Sequence, residues 1–486
     1  MAEVSLCDSS SQHASTSQPT VSSPFPTAIP APTTSQPAVV TTSLAQTTRL
    51  ADGKKMINQY VMDAKVGSGQ HGNVWRQDAE ERKRIEKQMA SKVLAMKIVK
   101  RDNPKARRER QYKMLRMRGA APGAAGSGGG GSSTSGTANG LGTTRPRSTP
   151  TVVDGIRTAE QEIRKEIAIM KKCKHPHVVR LYEVIDDRKN EMVFMVMEYL
   201  GGGEIQYTNP SSPGTPILTV EQTRRIMRDA ILGLEYLHHQ GIIHRDIKPA
   251  NLLWSTDHDR VKIADFGTAH FSYAQRLAAA KASNSPIDDT EEDPLLLNDA
   301  DLAKRAGSPA FLAPEIVWEF IEWPQAAKFY PSYSPLPPPP LSNNLSNSNS
   351  SSSEAILPLP APPRPPVTKS IDIWALGVTL YCLLFGKTPF RPPGEAGEHM
   401  TEWTGYQWVC NHDWRVEEMM GRDSVLTEGA RKESHGGSRE GALVMHLLDH
   451  FLQKDLERRI TLEELNPWFL HDLPNPDYWL RMTSPN

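Results

Sequence analysis

The sequence HRDIKPAN at residues 244–251, followed by DFG at residues 265–267, contains the polar groups that most strongly constrain the fold and chemistry of this chain. Transfer of a phosphoryl group depends on positioning and charge neutralisation more than on covalent chemistry. In such a site we expect Asp246 to accept a hydrogen bond from a substrate hydroxyl, and Lys248 to offset charge on the transferred group. Asn251 and Asp265 supply hard oxygen ligands, which suit Mg²⁺. A solvated loop that matches all of these positions by chance is the less favoured explanation.

A glycine-rich stretch, GSGQHGNV at residues 67–74, lies upstream of these motifs. Dinucleotide-binding folds use the same glycine spacing, but there the glycines follow a strand and open a helix. Here β-favouring residues lie on both sides of the glycines. The stretch therefore predicts a hairpin whose backbone lies over nucleotide phosphates. An ordinary glycine-rich hairpin is the alternative on this evidence alone.

A lysine, Lys97, lies inside the apolar stretch LAMK at residues 94–97. A lysine in a buried strand is costly unless it is paired. The next predicted helix offers Glu166 near its apolar face, and an ion pair between Lys97 and Glu166 would hold the ammonium against the α- and β-phosphates of a nucleotide. Glu162, one turn earlier on that helix, is the competing partner, and we favour Glu166.

These motifs, with APE at residues 313–315, DIWALG at 372–377 and Arg458-Arg459-Ile460, resemble the eukaryotic protein kinase family. The resemblance implies an α+β fold of two lobes, a small β-rich N-lobe and a larger helical C-lobe, with ATP and Mg²⁺ as cofactors. It also implies that Glu315 pairs with Arg459 and that Asp372 braces the catalytic loop. Lys248 in that loop implies transfer to serine or threonine. Ser308 lies where the family usually has a threonine that bonds the catalytic aspartate.

The resemblance assigns catalytic roles to Asp246, Lys248, Lys97 and Glu166, and metal-binding roles to Asn251 and Asp265. It places Met197 as gatekeeper, the backbone of Glu198 and Leu200 against adenine, and Glu204 against the ribose or a basic substrate side chain. The full set implied for ATP binding is Val66, Gly67, Ser68, Gly69, Gly72, Val74, Ala95, Lys97, Met197, Glu198, Leu200, Glu204 and Leu253.

The composition predicts a domain interrupted by low-complexity segments. We expect a disordered Ser/Thr/Pro-rich tail over residues 1–55, a kinase domain over 56–470 and a short tail over 471–486. The N-lobe would span 56–197 with an insertion at about 101–157, and the C-lobe 201–470 with a Pro/Ser-rich insertion at about 331–367. The apolar stretch at 371–385 is too short to cross a bilayer and predicts a buried helix.

The insertion between Lys97 and Glu166 resembles the insertion found at this place in calcium/calmodulin-dependent protein kinase kinases. The stretches INQY at 57–60 and GVTLYC at 377–382 are also similar to sequences of that subgroup. This resemblance implies that the substrates are activation-loop threonines of other kinases, notably catalytic subunits of AMP-activated kinase. Only about 26 residues follow Ile460, which leaves no room for a calmodulin-binding helix. We therefore do not expect control by calmodulin. A pseudokinase or scaffold is the alternative to an active kinase.

Two charged segments suggest regulation and docking. Seven acidic residues lie between 288 and 301, and no Ser, Thr or Tyr lies between Thr290 and Ser308. We expect the acidic run, or nothing, to occupy the pocket of Arg245, so that the kinase is active without loop phosphorylation; a solvated acidic loop is the alternative. Residues 101–157 contain eleven basic and three acidic side chains, which gives a net charge of +8. This segment would bind an acidic patch on a substrate kinase, or it would serve only as a soluble linker.

The overall charge and the cysteines exclude several other classes of protein. The formal net charge is zero, from 56 basic and 56 acidic residues, so we expect no nucleic-acid partner and no membrane partner. The four cysteines show no CxxC pairing, which predicts reduced thiols and a cytoplasmic setting. The N-terminal residues do not have the pattern of a signal peptide. The Pro-rich insertion, in turn, would suit partner proteins with SH3 or WW domains.

Overall fold

A computed structural model describes residues 39–69, 72–78, 93–101, 159–283, 301–322, 328–332, 364–392, 400–427 and 439–465. In the N-lobe the elements, in chain order, are β1 (Val40–Thr42), β2 (Thr47–Arg49), β3 (Lys55–Ile57), β4 (Tyr60–Gly69), β5 (Gly72–Asp78), β6 (Leu94–Lys100), α1 (Ala159–Lys172), β7 (Leu181–Asp187) and β8 (Met192–Glu198).

Among the described residues, the C-lobe begins with seven short strands and two helices, and continues with three further helices and two more short strands. Its elements are β9 (Gly203–Glu204), β10 (Thr208–Asn209), β11 (Ser212–Pro216), α2 (Val220–His239), β12 (Ile242–Ile243), β13 (Leu252–Trp254), β14 (Val261–Ile263), β15 (His270–Phe271), α3 (Tyr273–Ser283), α4 (Ser370–Phe385), α5 (Glu402–Asn411), β16 (Met419–Met420), β17 (Val425–Leu426) and α6 (Arg439–Phe451).

The N-lobe sheet has eight strands in the order β1-β7-β8-β6-β5-β4-β3-β2. Its central strands are antiparallel, and their register places Lys97 opposite Val74 on one neighbour and Met195 on the other. Alternate residues of a strand point to opposite faces, and one face packs around Tyr60, Met96 and Val196. The register thus brings the lysine of β6 beside the glycine-rich hairpin of β4 and β5.

Part of the predicted N-terminal tail belongs to this sheet, which corrects the assignment of residues 1–55 to disorder. Strands β1, β2 and β3 lie within residues 40–57. Strand β1 pairs in parallel with β7, and β2 and β3 continue the sheet beyond β4. Composition suggested disorder because the segment is rich in Ser and Thr, but β-branched threonines fit a strand when a sheet edge offers hydrogen bonds.

The C-lobe is built on two long helices whose ends and buried faces follow from the sequence. Helix α2 begins at a capping box in which Thr219 and Gln222 exchange side-chain hydrogen bonds with each other's backbone. Helix α4 is buried from Ile371 to Phe385, as its apolar sequence predicts. A Cβ on Gly377 would lie 2.5 Å from the Cβ of Phe451, so only glycine permits the close packing of α4 on α6.

The two lobes confirm the predicted α+β bilobal fold. Within the described residues, no helix has the length and apolarity that crossing a membrane requires. The three described cysteines, Cys173, Cys382 and Cys410, are free and buried.

Most residues of the two predicted insertions lie outside the described residues, but one end of each insertion is described. Arg101, the first residue assigned to the basic insertion, forms ion pairs with Glu160 and Asp186 and so belongs to the N-lobe. Arg364, assigned to the Pro/Ser-rich insertion, donates from Nε to the carbonyl oxygen of Glu315 at 2.7 Å. Both insertions are therefore shorter at these ends than composition indicates.

Candidate active site

The carboxylate of Asp246 is the centre of a compact hydrogen-bond network. Its Oδ2 accepts from Lys248 Nζ at 2.7 Å and from Asn251 Nδ2 at 3.0 Å, and its Oδ1 accepts from the backbone N–H of Ser308 at 2.8 Å. Asn251 Nδ2 also donates to the Asp246 carbonyl at 2.7 Å, which fixes the loop between them. The three donors orient the carboxylate from two sides, so that a substrate hydroxyl would meet it in one geometry.

Helix α4 holds this loop through the buried Asp372, as the resemblance implied. Asp372 Oδ1 accepts from the backbone N–H of Arg245, and Oδ2 accepts from the N–H of His244, both at 2.8 Å. His238 Nε2 approaches Oδ2 at 2.9 Å. Burial alone would raise the pKa of this carboxyl, but the hydrogen bond from His238, helped by the backbone donors, holds the pKa below its usual value.

The contact from His238 was not predicted from the sequence. This histidine lies near the C-terminal end of α2 among buried residues. A polar side chain on an apolar helix face is the signal that would have identified it, because a buried imidazole needs a hydrogen-bond partner. The bond joins α2 to α4 directly behind the catalytic loop.

Ser308 contacts Asp246, as the resemblance implied, and does so through its backbone. The N–H of Ser308 donates to Asp246, and its hydroxyl lies 2.6 Å from Lys248 Nζ. The preceding residue, Gly307, has a φ of 103° and packs directly against the backbone carbonyl of Arg245. This close contact brings the N–H of Ser308 to Asp246. Ser308 therefore joins both catalytic-loop side chains, Asp246 and Lys248.

The predicted ion pair between Lys97 and Glu166 is present, with Nζ and Oε1 2.5 Å apart, and Glu162 does not take this place. Lys97 Nζ also lies 3.4 Å from Asp265 Oδ1. Burial alone would lower the pKa of the ammonium, but the carboxylates of Glu166 and Asp265 more than offset burial, so the pKa of Lys97 is raised. The lysine is held as a cation between helix α1 and the DFG segment.

Asn251 and Asp265 fit the donor chemistry of a magnesium site. The amide nitrogen of Asn251 is turned toward Asp246, which leaves its amide oxygen as the atom for a cation. Ala264 donates its N–H to the Asn251 carbonyl at 2.9 Å, so Asp265 follows directly on the residue bonded to Asn251. Asp265 has a φ of 64° and a side chain that is 43% exposed. One amide and one carboxylate oxygen, with water and phosphate, suit Mg²⁺.

The residues predicted for the nucleotide lie along β4–β6, at the end of β8 and on β13. Ala95 is buried on β6, and Leu200 is buried just beyond β8. Glu204 on β9 pairs with Leu253 on β13 and accepts from Gln206 Nε2. Gly67, Ser68 and Gly69 end β4, Gly72 begins β5, and Val66, which is 47% exposed, precedes Gly67. Residues 70–71 lie outside the described residues.

Glu198, at the end of β8, makes a charged contact that the sequence did not predict. The carboxylate of Glu198 accepts from Lys262 Nζ at 2.8 and 2.9 Å, and the Glu198 N–H donates to the Arg180 carbonyl. Met197 precedes it on β8, opposite Ala95. The pair ties the strand between the lobes to β14 of the C-lobe.

The pocket of Arg245 contains backbone from the segment before Gly307. Arg245 has a φ of 68°, and its Nη2 donates to the Lys304 carbonyl at 2.5 Å. Lys304 in turn pairs with Asp301. The acidic residues from 288 to 299 lie outside the described residues, so the predicted acidic occupant stays a prediction.

The predicted pair between Glu315 and Arg459 is present and fully buried. Arg459 Nη1 and Nη2 donate to the two carboxylate oxygens of Glu315 at 2.7 and 3.0 Å. This bidentate geometry is the strongest form of such a pair. It fixes the APE segment, and with it the loop that contains Ser308, to the C-terminal part of the lobe.

Comparison with known proteins agrees with this site. Residues 152–328 match the protein kinase domain family. The chain is 34% identical over 436 residues to serine/threonine-protein kinase ssp1 of Schizosaccharomyces pombe, covering 89% of this chain and 46% of that protein. It is 34% identical over 344 residues to SNF1-activating kinase 1 of Saccharomyces cerevisiae, covering 69% and 22%.

A third relative is the calcium/calmodulin-dependent protein kinase kinase of Caenorhabditis elegans, 34% identical over 235 residues that cover 48% of this chain and 31% of that protein. The chain thus spans less than half the length of these curated relatives. Proteins of this family typically use ATP and Mg²⁺. From its fold, its site and these similarities, the chain contains a protein kinase domain, and it resembles serine/threonine protein kinases that include a calcium/calmodulin-dependent protein kinase kinase.

Proposed function

We propose that this protein transfers the γ-phosphoryl group of ATP to activation-loop threonines of other protein kinases, such as catalytic subunits of AMP-activated kinase. The observation that supports catalysis is that Lys248, Asn251 and Ser308 all donate hydrogen bonds to the carboxylate of Asp246. The names of two relatives, a SNF1-activating kinase and a kinase kinase, support the class of substrate.

In this proposal the side chains position the reactants and supply charge. Asp246 accepts the hydrogen bond of the substrate hydroxyl and aligns its oxygen with the γ-phosphorus. Lys248 lies beside Asp246 and offsets charge on the transferred group, while Lys97, held by Glu166, binds the α- and β-phosphates. Asn251 and Asp265 would hold Mg²⁺, which neutralises phosphate charge when it is bound.

The test is phosphorylation of a catalytically inactive AMP-activated kinase catalytic subunit in the presence of Mg²⁺ and ATP. Wild-type protein should label a single activation-loop threonine, identified by mass spectrometry. Asp246→Asn should lower kcat by about 10²–10⁴-fold, and Asp259→Asn, a matched change in the exposed loop before β14, should not. Silence of the wild type on this subunit and on general protein substrates would favour the scaffold alternative.

The substrate class has a separate test in the basic insertion. Its +8 charge over residues 101–157 supports docking of an acidic surface on a whole kinase. Arg101 must be kept because it pairs with Glu160 and Asp186. Replacing residues 102–157 by a short Gly/Ser linker should weaken phosphorylation of the whole kinase more than that of a short peptide. Equal loss on both substrates would argue against docking.

Activity without phosphorylation of the activation loop is also part of this proposal. Arg245, the usual partner of a loop phosphate, donates to the Lys304 carbonyl, and the sequence has no hydroxyl residue between Thr290 and Ser308. Recombinant protein shown by mass spectrometry to be unmodified in this loop should be active. A strict requirement for an upstream kinase would contradict the proposal.

A further inference from the structure

Residues 39–49, which we call the N-terminal brace, join the two edges of the N-lobe sheet. Strand β1 lies on β7, with Val40, Thr41 and Thr42 paired in register with residues 183–185. Strand β2 lies on β3 at the opposite end of the strand order. Only residues 43–46 connect the two strands, so the ends of β1 and β2 are at most roughly 18 Å apart along the chain. The brace therefore holds the two edges close together.

The buried carboxylate of Glu183 is the point at which the brace is fastened. Glu183 is 4% exposed. Its Oε1 accepts from the Thr42 hydroxyl at 2.7 Å, and its Oε2 accepts from Gln59 Nε2 at 3.0 Å and from the Tyr60 hydroxyl at 2.5 Å. A buried carboxylate that loses a donor is costly. Glu183 thus couples β1, β7 and the start of β4 through one side chain.

The brace also reaches helix α1, which contains Glu166. Lys171 Nζ donates to the Thr41 hydroxyl at 3.1 Å. Val39 packs against the apolar cluster that includes Ile169 and Met170 of this helix. Residues three and four apart lie on the same helix face, so Ile169 and Met170 share the face of Glu166. Lys171 directly follows Met170, so its bond to Thr41 joins the brace to the C-terminal half of the helix that contains Glu166.

We propose that Thr42 and Glu183 are positioning residues, which keep helix α1 seated on the sheet so that Glu166 stays paired with Lys97. The proposal rests on the proposed kinase function, since it assigns the brace a part in building the same site. The competing explanation is that β1 only covers an exposed sheet edge, as many proteins require. In that case weakening the brace would not change the helix.

The test uses the full chain with a charge placed at the fastening point. Thr42→Asp puts a second carboxylate against Glu183, and like charges opposed across strands are destabilising. Thr47→Asp is the matched control, because Thr47 is an exposed threonine on β2 of the same brace. Thr42→Ser retains the hydroxyl. Hydrogen exchange of residues 159–172 is the first readout, and it is independent of any kinase activity.

For Thr42→Asp we expect about tenfold faster exchange in α1 and about tenfold lower kcat/KM with a raised KM for ATP. Thr42→Ser and Thr47→Asp should resemble the wild type. Unchanged exchange in α1, or faster exchange spread equally over α2 and α4, would overturn the proposal. Because exchange is measured without substrate, this result is distinct from a failure of the proposed function.

Two double variants make the test specific. In the double variant Glu183→Gln with Thr42→Asp, an amide–carboxylate hydrogen bond replaces the repulsion between two carboxylates. Its exchange rate in α1 and its kcat/KM should therefore lie within about twofold of those of the single variant Glu183→Gln. In a Glu166→Gln background, Thr42→Asp should lower the residual kcat/KM no further, because the brace acts through that pair. Additive losses, or no rescue, would show that the brace does not position Glu166.

Discussion

Gly307 shows how little room the catalytic loop leaves for its neighbours. Its φ of 103° is a conformation that residues with a Cβ rarely adopt. A Cβ built there would lie 2.2 Å from the carbonyl oxygen of Arg245, a backbone atom that cannot rotate away. The next residue, Ser308, donates its N–H to Asp246. A shift at Gly307 would therefore be transmitted directly to the catalytic carboxylate.

We expect Gly307→Ala to lower kcat/KM by about 100-fold, because a displacement on the order of 1 Å at a reacting group has effects of that size. The matched control is Gly214→Ala. Gly214 also has a positive φ, of 86°, but its Cβ would meet only the side chain of Lys387 at 3.9 Å. Steady-state kinetics should separate the two variants. Equal losses would mean that backbone strain alone, and not the contact with Arg245, is responsible.

At the scale of elements, helix α1 contributes one carboxylate to a site built mainly on strands and loops. Glu166 is 5% exposed and Lys97 is 7% exposed, so each lies in surroundings that would penalise it alone. Lys97 retains only the more distant carboxylate of Asp265, at 3.4 Å, when Glu166 is neutral. The position of α1 on the sheet therefore decides whether Lys97 has its nearer carboxylate partner.

Glu166→Gln should lower kcat/KM on the order of 100-fold, which corresponds to about 2.7 kcal/mol. A raised KM for ATP should accompany the loss, because Lys97 would be less well positioned for the phosphates. Glu162→Gln, one turn earlier on the same helix, should retain activity. If Glu162→Gln were the damaging change, the pairing in solution would differ from that described above.

The C-terminal end of α5 is capped by a buried lysine. Lys454 donates to the carbonyl of Val409 in the last turn of α5 and to the carbonyl of His412, which directly follows the helix. Its ammonium also lies 4.5 Å from the ring centroid of Phe329 and 4.9 Å from that of Phe390. A cation at a helix C-terminus is favourable. Burial nevertheless lowers the pKa of Lys454 from 10.5 to about 7.

This lysine makes stability depend on pH. Between pH 7 and 10.5 the unfolded chain binds a proton at Lys454 that the folded protein lacks, so the free energy of unfolding rises with pH in that window, by about 1 kcal/mol per pH unit. Lys454→Met should remove this contribution. Urea unfolding at pH 7 and pH 9 measures it, with Lys174→Met, an exposed lysine, as the control. An identical pH slope in both variants would contradict the assignment.

At the scale of the whole molecule, the pair of Glu315 and Arg459 joins residues 144 positions apart. Both side chains are almost completely buried, at 1% and 0% exposure. Arg459 Nη1 also donates to the Ser370 carbonyl at the start of α4. The pair therefore connects the segment that bears Ser308 with the helix that bears Asp372.

We expect Glu315→Gln to lower the free energy of unfolding of the C-lobe by about 3–5 kcal/mol, because it leaves a buried guanidinium without its anion. The comparison is Glu463→Gln, which breaks an exposed pair with Lys369 at 3.5 Å. Such exposed pairs contribute about 0–1 kcal/mol. Urea unfolding followed by tryptophan fluorescence measures both changes. A loss below 1 kcal/mol for Glu315→Gln would show that other contacts hold the segment.

The sequence alone was sufficient to predict the catalytic loop and two of the helices. The stretches at 244–251 and 265–267 indicated the catalytic loop, the helix predicted to contain Glu166 is α1, and the apolar stretch at 371–385 matches helix α4 closely. Both are local properties, since a loop motif and a helical period are set by residues that are near one another in the chain.

Contacts between distant segments were decided only by the tertiary structure. The periodicity of α1 left Glu162 and Glu166 both available to Lys97, and packing over 69 residues of separation selected Glu166. The bond from the Ser308 backbone to Asp246, the contact of His238 with Asp372 and the N-terminal brace were also not readable from the sequence. Composition reports how much apolar surface a segment can bury. It does not report that a sheet edge elsewhere in the chain offers that segment hydrogen bonds, which is why residues 40–49 form strands.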